Sequence, residues 1–271
     1  MDRVWFRSTS TVAVAACRAV AGGCWLALAL LAPRHALAAH PLITDDTGTQ
    51  GDRGRFQLEL NGELSSHRRA LGGVEVKESA RELAAIVSMG VLEEVDLVVG
   101  VPWASSDVRE NGALVAADTG LGDTSVEVKW RFLEVEGFSL AVKPGLAFGG
   151  GNYALGATLI ATQALGPFTV HANGSFTRNE FKLKEDRDAS RGDIWHGSLA
   201  AVLEVMQGLQ AVANAGVETN GDRSSNVWPA FALAGAIYSV TDRLALDLGV
   251  KFGLNEAEPD LTGLAGMALR F

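Results

Sequence analysis

Phe56-Gln57-Leu58-Glu59-Leu60-Asn61-Gly62-Glu63-Leu64 is the stretch from which the fold is read. Phe56, Leu58, Leu60, Gly62 and Leu64 alternate with Gln57, Glu59, Asn61 and Glu63, so an extended chain puts the apolar residues on one face and the polar ones on the other. Thr124, Val126, Val128, Trp130 and Phe132 repeat the pattern against Asp123, Ser125, Glu127, Lys129 and Arg131. Phe168, Val170, Ala172, Gly174 and Phe176 repeat it against Thr169, His171, Asn173, Ser175 and Thr177. Followed along the chain, the alternation predicts twelve strands, near 54–64, 81–91, 95–103, 122–133, 138–148, 156–165, 168–179, 193–205, 209–219, 229–239, 244–254 and 263–271. The two faces are least distinct in the second and tenth.

The spacing between strands is the second signal. Short connections fall at Glu93-Glu94, Glu134 to Gly137, Gly166-Pro167, Met206 to Gly208 and Val240 to Arg243, and they alternate with longer ones at 65–80, 104–121, 149–155, 180–192, 220–228 and 255–262. Short turns on one rim and long loops on the other, with an even strand count, are how bacterial outer-membrane barrels are built, the short turns being periplasmic. The aromatic residues give a third signal. Phe56, Phe132, Phe138, Phe168 and Phe271 fall on apolar faces toward the short turns, and Trp103, Phe148, Phe176, Trp195, Phe231 and Phe252 toward the long loops. Two girdles suit a surface that meets lipid at two interfaces. A soluble sandwich or a ligand-holding barrel also alternates, but gives aromatics no reason to sort to both ends. The expected fold is therefore all-β, a transmembrane antiparallel up-and-down β-barrel of about twelve strands.

Composition agrees. Gly at 31 of 271 residues is high, and with 48% hydrophobic and 20% charged residues the chain is not a disordered one. The N-terminus has basic Arg3 and Arg7, an apolar run from Ala19 to Ala32 and then Ala36-Leu37-Ala38, the pattern of a secretory leader cut near Ala38. Arg18 and Arg34 bracket too few residues for a spanning helix. Cys17 and Cys24 both fall in the leader, leaving the mature chain without a thiol. Val14-Ala15-Ala16-Cys17 is a poor lipoprotein box because most of the apolar run follows the cysteine. The leader also holds Arg3, Arg7, Arg18 and Arg34 against Asp2, so its removal takes the net charge from −9 to −12, and no nucleic-acid partner is expected. The predicted division is a leader over 1–38, a periplasmic N-terminal segment over 39–53 and an outer-membrane barrel over 54–271, located in the bacterial outer membrane.

The chain closes on Gly263, Ala265, Met267, Leu269 and Phe271. This resembles the last strand of outer-membrane barrels, whose terminal Phe is a cue for the barrel-assembly machinery. HPLITDDTGTQGDRGRFQLELNGE at 40–63, GLGDTSVEVKWRF at 120–132 and KPGL at 143–146 carry a more specific resemblance, to the outer-membrane barrel family named for the MetA pathway of phenol degradation. The resemblance spans essentially the whole mature chain. It implies a barrel that passes small molecules, without identifying the solute.

On that reading the polar faces line the lumen. The candidates are Glu59, Glu63, Asp96, Asp123, Glu127, Glu204, Glu218 and Asp247 against Lys129, Arg131, Lys143, Lys251 and Arg270, with His171 beside them. A hydrated pore with mild cation preference is one reading. Pairing across strands to fill a narrow lumen is the other. The expected function is a channel for small hydrophobic or weakly cationic solutes. A non-conducting structural or receptor barrel, or a barrel enzyme acting on lipids, is the alternative. Catalysis finds little support. His171 and Ser175 share a face about 13 Å apart, and His196 and Ser198 lie about 6.6 Å apart with no obvious orienting acid. A metal shared by His171 and His196 is disfavoured by their positions on opposite halves of a hairpin, so neither metal nor cofactor is expected. The segment from Ala39 to Gly51 is expected chiefly to be a structural tail or a clamp on the first strand, the other options being a partial plug, a docking segment or an Asp45/Asp46 cation site. Cleavage after Ala39 would instead expose His40 as a terminal chelator, against the small-residue rule. The charged loop at 180–191 is expected to be a solvated rim facing lipopolysaccharide.

Overall fold

The computed structural model describes residues 43–271. The leader and His40 lie outside the described residues. The chain forms β1 (Phe56–Leu71), β2 (Val74–Leu92), β3 (Val95–Glu110), β4 (Ala113–Leu121), β5 (Thr124–Val135), β6 (Phe138–Gly149), β7 (Asn152–Leu165) and β8 (Phe168–Glu180). A short helix α1 (Lys184–Ala189) precedes β9 (Asp193–Met206), β10 (Leu209–Glu218), β11 (Ala230–Ser239), β12 (Leu244–Gly253) and β13 (Leu261–Arg270). Every strand runs antiparallel to its neighbours, and β13 pairs back on β1, so the sheet is a closed ring. β4 and β5 lie end to end along β3, with Trp103 opposite Leu121 on one ladder and Gly100 opposite Ser125 on the other. They form a single stave, interrupted at Gly122-Asp123 where Pro102 has no N–H to offer, while the Pro102 carbonyl accepts Gly122 N–H at 2.8 Å. The barrel thus has twelve staves, as the alternation predicts.

The period-two pattern becomes an inside and an outside. Glu127 and Lys129 on β5 are 3% exposed, whereas Trp130 between them and the next inward position is 50% exposed. That is the reverse of a soluble protein, and it is what a wall needs when lipid lies outside it and a polar lumen inside. Closure matters equally, because hydrocarbon offers no partner for an unpaired sheet edge. Phe56, Phe132, Phe168 and Phe271 stand exposed near the short-turn rim, and Trp103, Phe148, Trp195 and Phe252 near the other. Phe56 and Phe271 stack at 4.6 Å between centroids, and Phe176 packs on Trp195 at 4.7 Å.

Two expectations need correction. Phe231 points into the barrel and is buried, with Leu233 and Ile237 on the same face of β11, while Ala232, Ala234, Ala236 and Tyr238 face outward. Lipid accepts an alanine face, so apolar character alone does not orient this strand. The second correction concerns three of the long connections. Residues 65–80 and 104–121 are continuations of β1, β2, β3 and β4, and the gap at 149–155 is mostly β6 and β7. Tight turns at Gly72-Gly73, Asn111-Gly112 and Gly150-Gly151 join them, with both central residues at positive φ, the geometry whose twist matches the flanking strands. At 16 and 19 residues, β1 and β2 exceed the 9–11 that cross a bilayer. Their outer halves rise as a wall, where no lipid enforces apolar alternation.

Candidate functional site

The N-terminal segment enters the barrel. Ile43, Thr44, Asp45, Asp46 and Thr47 are all less than 8% exposed, and Thr44 is fully buried. A chain in that position needs partners for its polar groups, and the inward residues of six staves supply them. Thr44 Oγ1 donates to Asn214 Oδ1 on β10 at 2.9 Å. Asn173 on β8 clamps Asp45 from both sides, its Oδ1 accepting the backbone N–H and its Nδ2 donating to the backbone carbonyl at 3.1 Å. Thr47 N–H donates to Thr162 Oγ1 on β7 at 3.2 Å, and its hydroxyl lies 2.5 Å from Ser139 Oγ on β6. Gln50 N–H reaches both Asp96 oxygens on β3, at 2.9 and 3.1 Å.

Charge holds the middle of the segment. The Asp45 carboxylate receives Lys129 Nζ at 2.9 Å on one oxygen and Lys143 Nζ at 2.5 Å on the other. Lys129 also lies 3.7 Å from Asp46 and donates to the Gly48 carbonyl at 3.2 Å, while Lys143 stands 3.5 Å from Glu127. All of these side chains are nearly inaccessible. A small space beside the segment, lined by Asp45, Asp46, Gln50, Asp96, Lys129 and Lys143, has room for about one water. The segment leaves by folding over the end of β2, where Gly54 N–H donates to the Gly90 carbonyl and Gly90 N–H to the Arg55 carbonyl. A Cβ at Gly90 would stand 2.5 Å from the Asp52 carbonyl oxygen, so only glycine permits this crossing.

The expected lumen residues fall at several levels. Glu59, Asp96, Glu127, Lys129, Lys143, His171, Asp247 and Lys251 are buried inside. Glu63, Asp123, Arg131 and Glu218 are half-buried, and Glu204 is exposed at the short-turn rim. Lys129, Lys143, Glu127 and Asp96 meet around the segment. His171 lies one step behind it, its Nδ1 2.9 Å from Thr162 Oγ1. Asp247 and Glu59 lie on the β12, β13 and β1 side, where Asp247 and Asn61 approach the backbone at Gly266. Arg270 Nε donates to Gln57 Oε1 at 2.7 Å, and Gln57 Nε2 to Glu59 at 2.7 Å. Lys251 pairs with Glu258 at 2.6 Å and sits 5.6 Å above the Phe231 ring, closing the long-loop side. Arg131 turns to Glu134 at 3.1 Å.

His196 does have an acid beside it. Glu218 lies directly opposite on β10, with Oε2 3.3 Å from His196 Nδ1. The sequence separation of 22 residues hides this pairing, which exists only because β9 and β10 form a hairpin in that register. The Asp45/Asp46 pair is occupied by lysines, and among the described residues no group of three His, Cys, Asp or Glu is placed to hold a metal. On the rim at 180–191, the Lys184 ammonium, hydrogen-bonded to Asp188 at 2.7 Å, holds that carboxyl below its usual range.

Sequence reasoning also missed the apolar half of the lumen. Val202, Val212, Leu233, Ile237, Ala245, Leu264 and Ala268 face inward from β9 to β13 and pack with Ile43. For the inserted segment the signal was available in part, since two lysines at inward mid-strand positions need a counter-charge and Asp45-Asp46 precedes the first strand.

Comparison with known proteins bears on the whole barrel. The family described as "Putative MetA-pathway of phenol degradation" matches residues 83–271. No curated protein sequence matches the chain. Among solved structures, the COG4313 outer membrane channel from Pseudomonas putida F1 superposes with a TM-score of 0.66 at 13% identity, over 81% of this chain and 96% of that one. The NanC porin gives 0.54 at 12% identity over 79% and 100%, and the KdgM porin in complex with disordered oligogalacturonate gives 0.55 at 10% over 79% and 99%. At these identities the likeness is one of fold.

Proposed function

Because the chain belongs to the phenol-degradation MetA-pathway family and is a bacterial outer-membrane barrel, we propose that it is a channel for small solutes whose lumen is held shut by its own residues 43–50. The observation that carries this reading is the Asp45 carboxylate gripped by Lys129 and Lys143 in the middle of the barrel. A purely structural barrel of this size has no need of a polypeptide fastened across its lumen by ion pairs. A narrow passage of roughly 10 Å or less suits twelve staves, between filled eight-stranded barrels and sixteen-stranded porins. The apolar wall from β9 to β13 supports solutes with a hydrophobic part. Acids outnumber bases among the inward side chains, which supports a mild preference for cations among small inorganic ions. The outer surface meets lipid, and Phe271, directly after the last strand, is the residue offered to the assembly machinery.

The test is conductance of the refolded protein in a planar bilayer, beside a variant with residues 43–50 replaced by a Gly/Ser linker. Brief small openings in the full chain and sustained ones in the variant are expected. No conductance from either folded sample rejects the channel and leaves a structural or receptor barrel.

A further inference from the structure

We propose that the outward face of the wall formed by β1, β2 and β3 is a docking surface for lipopolysaccharide, with Arg68, Lys77 and Arg109 holding the anionic groups of its inner sugars and Arg81 those of its lipid anchor. The inference concerns the outside of the barrel and stands whether or not the lumen conducts. It starts from register. Arg68 on β1 is directly opposite Lys77 on β2, and Lys77 is directly opposite Arg109 on β3. Residues paired in this way share a face. It is the outer face, since Leu83 and Trp103 lie on it, opposite each other and exposed. Three cations therefore stand in one row about 10 Å wide. Like charges directly opposite one another destabilise a sheet, so strand pairing alone gives no reason for the row.

Its surroundings leave the row uncompensated. Arg109 reaches Asp107 on its own strand at 3.1 Å, and Glu75 lies two residues from Lys77. Asp260 accepts the Arg68 backbone N–H at 2.7 Å and faces His67, which belongs to the inner face. Among the described residues no side chain pairs with the charged ends of Arg68, Lys77 or Arg81, in a chain whose formal net charge is −9. Elsewhere on the same rim the cations are neutralised. Arg178 binds Glu180 and Asp193 at 2.9 and 2.8 Å, and Lys184 binds Asp188 at 2.7 Å.

Height selects the partner. Leu83 and Trp103 are the outermost apolar pair of β2 and β3 on the lipid side. For strands tilted by about 40°, Arg81 stands about 5 Å above that pair and the row at Lys77 about 15 Å above it. The first level is where hydrocarbon gives way to head-group phosphates, and a phospholipid reaches no further. Lipopolysaccharide continues, with phosphates at the first level and phosphate and carboxylate groups on its inner sugars at the second. The paired N–H groups of Arg68 and Arg109 match such oxygens, and the patch is continuous with the lipid-facing band below it.

The test is native mass spectrometry of the full-length protein, refolded in detergent and titrated with purified lipopolysaccharide that carries the inner core but no O-antigen. A saturable adduct is expected. Arg68→Gln, Lys77→Gln and Arg109→Gln together should weaken it at least tenfold, because each basic residue near a charged lipid surface adds to the attraction. Arg178→Gln with Lys184→Gln, on the paired part of the rim, should change it less than twofold. Arg68→Lys with Arg109→Lys keeps the charge and should retain most of the affinity. Phosphatidylglycerol should compete at least tenfold more weakly, and inorganic phosphate at matched phosphorus concentration should not displace the adduct. Heat-modifiable gel mobility establishes that each sample is a folded barrel. Affinity of the triple variant within twofold of the unaltered protein, an equal loss in the paired-cation control, displacement by inorganic phosphate, or equal competition by phosphatidylglycerol overturns the proposal.

Discussion

Asp45→Ala is the most informative single change. In the seated segment its carboxylate is shared by two ammoniums at 2.9 and 2.5 Å, each of the three side chains at most 6% exposed. Removing one partner from a buried ion pair costs about 3–5 kcal/mol, because the remaining charge loses its counter-ion without regaining water. In the released state, water enters the lumen and rehydrates Lys129 and Lys143, so the cost falls on the closed state alone. At about 1.4 kcal/mol per tenfold, the open-to-closed ratio should rise by roughly 10² to a few times 10³. The remaining bonds from Thr44, Thr47 and Gln50 keep the segment partly seated, so openings should lengthen without becoming permanent. Single-channel dwell times in a planar bilayer measure this directly. Asp46→Ala is the internal comparison, since Asp46 lies 3.7 Å from Lys129 and chiefly accepts Gly48 N–H, and its effect should be about tenfold or less. Closed dwell times unchanged in Asp45→Ala, in a sample whose heat-modifiable gel mobility shows a folded barrel, would refute the latch.

Other consequences are testable alongside it. Single cysteines at Leu114, on β4 beyond the long-loop rim, and at Asp242, in a short turn, should react oppositely with an impermeant maleimide on intact cells, only the first being labelled. The reverse pattern inverts the topology. Deleting Phe271 removes the stack on Phe56 and the bond from Phe271 N–H to the Phe56 carbonyl, a loss of about 1–3 kcal/mol. Outer-membrane levels in cells should nevertheless fall severely while refolding in detergent persists, and normal cellular levels would remove Phe271 from any part in assembly. Gly216→Ala would bring a Cβ to 2.6 Å from the Phe231 ring and 3.0 Å from the Gly197 carbonyl, and unfolding in denaturant should show a loss of about 1–3 kcal/mol. Reversal potentials of the Asp45→Ala channel across a salt gradient should favour cations and lose that preference as ionic strength rises, since screening reaches about 10 Å at 0.1 M. Anion preference at all concentrations would contradict the inner charge balance.

How much of this was legible without coordinates depends on the kind of physics involved. Strands such as β1 and β5 announce themselves because lipid on one side and a polar lumen on the other force a period of two, and their positions, number and outward aromatics follow from that local rule. The rule lapses where lipid is absent. The outer halves of β1 to β3 carry charge on both faces and read as loops, as does β4 with Asp118 as its one charge, although Gly72-Gly73 and Asn111-Gly112 mark the turns. It fails again where both sides are apolar, so Phe231 on β11 was turned outward in the reading and inward in the fold. The pairings within the site belong to the tertiary structure. Asp45 is more than 80 residues from Lys129 and further from Lys143, and His196 is 22 from Glu218. No periodicity links such residues, because their meeting is set by barrel closure and strand register. The sequence alone determined that inward lysines exist and that an acidic segment precedes the first strand. Only the closed ring, by burying both where water cannot neutralise them, decided that they must pair.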